Sequence, residues 1–130
     1  MRARVEAARV GRLATVTVDH RPHVVPCCFA LAGDAVVTAV DAKPKSTTAL
    51  RRLDNVRSNP SVTLLVDHYD DADWARLWWV RVDGLARVVS GGAEQAAALA
   101  VLTAKYLQYR ELTPPGPVIV IEHLRWRAWP

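Results

Sequence analysis

The residues best equipped for chemistry are two lysines and a run of hydroxyls. Lys43 and Lys45 stand just ahead of Ser46, Thr47 and Thr48. The apolar spacing Leu50, Leu53, Val56 that follows predicts a helix starting at those hydroxyls and stopping at Asn59-Pro60. A helix start exposes unpaired backbone N–H groups at the positive end of the helix dipole, so ammonium groups and hydroxyls placed there form a site for phosphate or another anion. From Lys43 to Arg57 the basic residues Lys43, Lys45, Arg51, Arg52 and Arg57 face only Asp54, a local +4 equal to the formal net charge of the whole chain. The plainer alternative is a basic helix face turned to water.

Other constellations carry less. The chain has no GxSxG elbow, no GxGxxG, no GxxxxGK[ST], no HExxH and no paired carboxylates beyond the acidic loop Asp70 to Asp73. No catalytic side chain is therefore assigned. His20 and His23 can meet across a turn, but two imidazoles without a third ligand do not make a zinc site, and no metal is expected. Ser90-Gly91-Gly92 reads as turn chemistry ahead of a helix more readily than as a phosphate nest. Cys27 and Cys28 are adjacent, so strand alternation sends them to opposite faces, as small apolar residues and not as a redox pair. Trp78 and Trp79 are split the same way. One of the two indoles must leave the core of its own sheet, toward a partner or a flat ligand.

These residues need elements to hold them. Leu13 to Val18, His23 to Leu31 and Ala35 to Val40 read as three antiparallel strands, after a short leading helix from Arg2 to Val10 ended by Gly11. Pro26 inside the second strand marks an edge or a bulge. After the basic helix, Ser61 to Tyr69 and Arg76 to Val89 resume β structure, with Gly84 as a bulge or bend in the longer run. Ala93 to Tyr109 reads as one helix, TPPGP breaks it, and Val118 to Trp129 is the last strand. Six strands with helices inserted late predict a mainly β (α+β) fold, a six-stranded antiparallel β-barrel with peripheral helices, and not a doubly wound sheet.

At 130 residues, with 51% hydrophobic and 23% charged residues, the chain is long enough for one core and reads as a single domain over residues 1–130. Disulfide scaffolds, collagen and disorder are excluded. The longest apolar stretch, Ala96 to Leu102, is far short of the ~20 residues that cross a bilayer, and the first residues lack a signal-peptide core. A cytoplasmic protein is expected.

Taken together, GRLATVTVDHRPHVVPCCFAL, TAVDAKPKSTTALRRLDNVRSNPSVTLLVDHY, DWARLWWVRVDGLARV and KYLQYRELTPPGPVIVIEHLRWRAW cover nearly the whole chain. In this order they resemble the pyridoxamine 5'-phosphate oxidase-like split-barrel flavoproteins, within them the actinobacterial branch of coenzyme F420-dependent oxidoreductases. The resemblance implies a homodimer of split barrels with two cofactor sites in the subunit interface. Val25, Pro26, Cys27 and Cys28 match the segment whose backbone lies along the flavin or deazaflavin ring, with Thr38 and Val40 beside it. Lys43 and Lys45 match the phosphate loop, and Arg51 matches a third cation. From the other subunit, Trp79 or Trp78 and the stretch Lys105 to Tyr109 would cover the ring. The sequence departs from the pyridoxamine oxidases themselves at His23, where they have Arg, and at Lys-Pro-Lys, where they have Arg-Lys. Those departures point away from tight FMN phosphate binding and from vitamin B6 oxidation.

The implied activity is hydride transfer from reduced F420 to a small planar unsaturated substrate. The alternatives are an FMN-binding flavoprotein, a non-catalytic cofactor carrier, and a single-strand nucleic-acid binder. The aromatics do not interleave with the basic cluster, so neither nucleic acid nor membrane is expected as a partner.

Overall fold

The computed structural model describes residues 1–40 and 47–130, with backbone only for 47–50. Lys43, Lys45 and Ser46 lie outside the described residues, as does the side chain of Thr47.

The described elements, in chain order, are α1 (Arg2–Ala7), β1 (Gly11–Val16), β2 (Pro22–Cys27), β3 (Ala30–Ala32), β4 (Ala35–Ala39), α2 (Thr47–Ser58), β5 (Ser61–His68), a 3₁₀ turn (Trp74–Arg76), β6 (Trp78–Val89), α3 (Gly92–Lys105), α4 (Leu107–Glu111) and β7 (Val118–Trp129). The seven strands form one sheet in the order β2-β1-β5-β6-β7-β4-β3, antiparallel throughout. Its two edge strands, β2 and β3, are separated in the chain only by Cys28 and Phe29. Three trans peptide steps span at most about 11 Å, so the edges must approach one another and the sheet must curl into a barrel with a seam at Cys28-Phe29. The mainly β antiparallel class read from the sequence is thus correct. The count rises from six to seven because the stretch His23 to Leu31 is two strands, one on each side of the seam.

Inward residues of β1, β5 and β6 alternate with outward ones, and Leu13, Leu64, Val66, Val80 and Val82 fill the barrel together with Phe29 and Val5. β4 and the first half of β7 are buried on both faces, because α3 and α4 cover their outer side through Ala98, Leu102, Tyr106 and Tyr109. That double burial is why AVVTA and VIVI are continuous apolar runs, without alternation. Among the described residues, no helix covers the outer face of β5, β6 and the end of β7, where Leu65, Leu85 and Trp129 are exposed.

Three local expectations change. Gly11 starts β1 and does not cap α1. A Cβ on it would lie 2.7 Å from Leu64 Cδ1, so its role is close packing. The bulge near Gly84 is on the neighbouring strand: Asp83 pairs with Arg125 and Leu85 with Glu122, so one residue of β6 faces two of β7, and His123 takes φ 54°. The helix expected from Ala93 to Tyr109 breaks after Lys105, where Tyr106 is extended at φ −114°, ψ 116°. No helix breaker stands there. Tertiary bonding of the Tyr106 hydroxyl takes the residue out of the helix.

Candidate functional site

The seam gathers residues from four separate parts of the chain. The Tyr106 hydroxyl accepts from the Phe29 amide at 3.1 Å and lies 3.0 Å from the carbonyls of Phe29 and Arg9, to either of which it donates. It thereby latches the seam where no strand ladder crosses it. The Thr38 hydroxyl donates to the Cys28 carbonyl at 2.6 Å, which fastens the same link to β4. Cys27 points into the barrel core and Cys28 packs against the outer cluster, the opposite facing expected from alternation. β2 is an edge strand, so no strand neighbours it on the side away from β1.

Of the residues assigned from the sequence, Val25 is half-buried, Pro26 exposed, Thr38 buried and Val40 half-buried against the barrel core. Thr38 meets Cys28 at the seam, and Lys105 meets the adjoining Phe29. Tyr109 is buried behind it, tilted against Tyr106 at 5.6 Å between ring centres. Arg51 is exposed on α2, whose position is fixed by buried Leu53 and Val56 and by the Asn55 amide donating to the Thr15 hydroxyl at 3.0 Å.

Trp78 and Trp79 lie elsewhere. Trp78 faces inward with the Arg4 guanidinium 5.2 Å from its ring centre, and His68 stacks on it at 6.2 Å. Trp79 faces outward opposite Trp129. They line an apolar cavity of about 670 Å³ with Leu65, Tyr69 and Trp129. A second cavity, of about 790 Å³, opens on the barrel's uncovered face between His20, Thr63, Asp83, His123 and Arg125. Sequence reasoning missed it. His20 and His123 are far apart in the chain and come to line one cavity from a hairpin turn and from the β7 bulge, each in the left-handed region, at φ 66° and 54°.

Lys105 was assigned from the sequence, but its surroundings were not foreseen. Its Nζ lies 4.0 Å from the Phe29 ring centre and 5.3 Å from that of Tyr106. Burial and the neighbouring Arg9 lower its pKa from 10.5 to about 8, partly offset by Cys28, Glu6 and Cys27. Burial pushes the Tyr106 phenol up to about 12. The folded state thus releases the Lys105 proton first, and stability should rise with pH between about 8 and 10.5. Above pH 10 the phenol acts the other way, because the unfolded chain ionises it first. Wild-type stability should peak near pH 10. Lys105→Met should remove the rise and gain about 1–2 kcal/mol at pH 7, a figure discounted for partial exposure. Urea midpoints from pH 6 to 11 check this; a Met variant no more stable at pH 7 refutes it.

No group of three or more His, Cys, Asp or Glu able to hold a metal exists among the described residues, and none of the described helices is long and apolar enough to cross a membrane. Comparison with known proteins follows the fold. The family profile for pyridoxamine 5'-phosphate oxidase matches residues 1–130. No curated protein matches the sequence. Among solved structures, a conserved hypothetical protein of Mycobacterium tuberculosis aligns with TM-score 0.74 at 22% identity, over 98% of this chain and 80% of its own. The FAD binding protein of Mycobacterium smegmatis aligns with TM-score 0.62 at 22% identity, over 96% and 90%. The heme storage protein HutZ of Vibrio cholerae aligns with TM-score 0.73 at 13% identity, over 98% and 89%.

Proposed function

Since this chain belongs to the pyridoxamine 5'-phosphate oxidase family, we propose that it is a cytoplasmic oxidoreductase built as one split-barrel domain. It uses reduced coenzyme F420, with FMN as the alternative, to transfer hydride to a small planar unsaturated substrate. The observation that supports it best is the seam: an edge strand whose link to the opposite edge is fastened by Thr38 and Tyr106, in a chain that carries no self-contained catalytic motif.

The residues present fit such a group. The stretch from Val25 at the edge of β2 to Cys28 beyond its end would lie along the ring, with Thr38 and Val40 beside it. Lys43, Lys45, Ser46, Thr47 and Arg51 would hold the phosphate, with α2 fixed by the Asn55–Thr15 bond. The cofactor supplies hydride chemistry when bound; the chain supplies position and keeps water away. Trp78 or Trp79 of a second copy would close the site. The uncovered outer face supports a homodimer, because Leu65, Leu85 and Trp129 are all exposed on it. Sedimentation at micromolar concentration should give about twice 14.4 kDa; a monomer would defeat both the dimer and the interfacial site.

Fluorescence titration with F420 and with FMN tests the cofactor. Saturable quenching by F420 with weaker FMN binding is expected, and binding of neither refutes the reading. A second reading, heme binding, is favoured by the two histidines on the 790 Å³ cavity and by the likeness to a heme storage protein. It predicts a Soret band on adding heme that is lost in His123→Ala.

A further inference from the structure

The Lys105 ammonium is a buried charge that the described structure leaves unsatisfied. Its nitrogen is out of solvent, yet it has no hydrogen-bond partner among the described residues. Burying an ammonium without an acceptor is costly, and such a group in a native fold calls for an ion, a ligand or a water.

A second cation stands beside it. The Arg9 guanidinium lies 4.9 Å from the Tyr106 ring centre and donates to the Lys105 carbonyl at 2.7 Å. It joins no ion pair among the described residues. The nearest acid felt by Lys105 is Glu6, whose carboxylate is bridged to Arg2 at 3.5 Å. The other titratable groups facing the ammonium are the Cys27 and Cys28 thiols and the Tyr106 phenol, whose burial holds it protonated. Arg9 is exposed and Cys28 half-buried, so the ammonium lies just beneath the surface between them.

We infer that Lys105 and Arg9 form an oxyanion site, with the Lys105 ammonium as its floor, the Phe29 and Tyr106 rings as its walls and the Arg9 guanidinium at its mouth. The ligand class is a small phosphate or carboxylate group, free or carried by a larger molecule. An ammonium supplies a point charge and a guanidinium a planar fork, a pairing suited to tetrahedral or planar oxyanions. The two rings keep both cations oriented before the anion arrives. This inference does not rest on the cofactor reading, which places its phosphate in the loop at Lys43 and Lys45.

Inorganic phosphate is the probe, titrated at pH 7 and constant ionic strength against sodium chloride. The chain has only three lysines, Lys43, Lys45 and Lys105, so ¹³C-labelled lysine gives three side-chain signals, and Lys105 is assigned by its loss in Lys105→Met. Phosphate should shift that signal saturably, raise its titration midpoint and raise the melting temperature of the full chain. The melting response should weaken roughly tenfold in affinity in Lys105→Met, weaken partly in Arg9→Gln, return in Lys105→Arg and persist in Lys43→Ala/Lys45→Ala. An unmoved Lys105 signal, or a response matched by chloride, overturns the inference. A response that survives Lys105→Met and vanishes in the loop variant also overturns it, and at the same time supports the cofactor's phosphate site.

Discussion

Replacing Gly84 by alanine should destabilise the fold by about 3 kcal/mol or more. A Cβ at that position would lie 2.7 Å from Ile121 Cγ2, 2.8 Å from the Glu122 carbonyl oxygen and 2.9 Å from Leu124 Cδ2. A flexible side chain could swing aside, but the Glu122 oxygen is backbone, and it belongs to the strand that already bulges at His123. Relief would require β6 and β7, the two longest strands, to part. Gly33 is the control, because a Cβ there meets nothing within 4 Å and only its φ of +58° resists substitution. Gly33→Ala should cost about 1–2 kcal/mol. Urea unfolding at unchanged slope measures both. A Gly84→Ala cost below that of Gly33→Ala would show that the strands yield easily, and would take with it the view that the bulge fixes the rim of the histidine-lined cavity.

The double substitution Lys43→Ala/Lys45→Ala should lower affinity for the cofactor about a hundredfold. Each lysine removes a charge-assisted contact to phosphate worth about 1.5–3 kcal/mol, and a factor of ten corresponds to about 1.4 kcal/mol. The fold should survive, because α2 is held by Leu53, Val56 and the Asn55–Thr15 bond, none of which is altered. The urea midpoint should therefore stay where it is while the fluorescence titration weakens. Affinity within threefold of wild type would return this cluster to an ordinary solvated basic surface.

Local pattern in the chain was enough for the class of fold and for the alternation within it. β-branched runs between turn residues announced the strands, Leu53 and Val56 announced the buried face of α2, and adjacent pairs such as Cys27-Cys28 and Trp78-Trp79 had to divide between two faces because strand geometry leaves no other choice. These are local consequences of backbone geometry, legible without knowing what packs against what. Tertiary structure decided the rest. The seam at Cys28-Phe29 exists because β2 and β3 end on opposite edges of one curled sheet, a fact of strand order that no local pattern contains. Tyr106 turns to extended backbone with its amide still on the Leu102 carbonyl, because its hydroxyl is held on Phe29 and Arg9. The bond between Arg9 and Lys105, and the cavity that His20 and His123 both line, join residues separated by roughly a hundred positions. Their meeting depends on how the barrel closes, and closure is set by the summed burial of the core, not by the spacing of any motif.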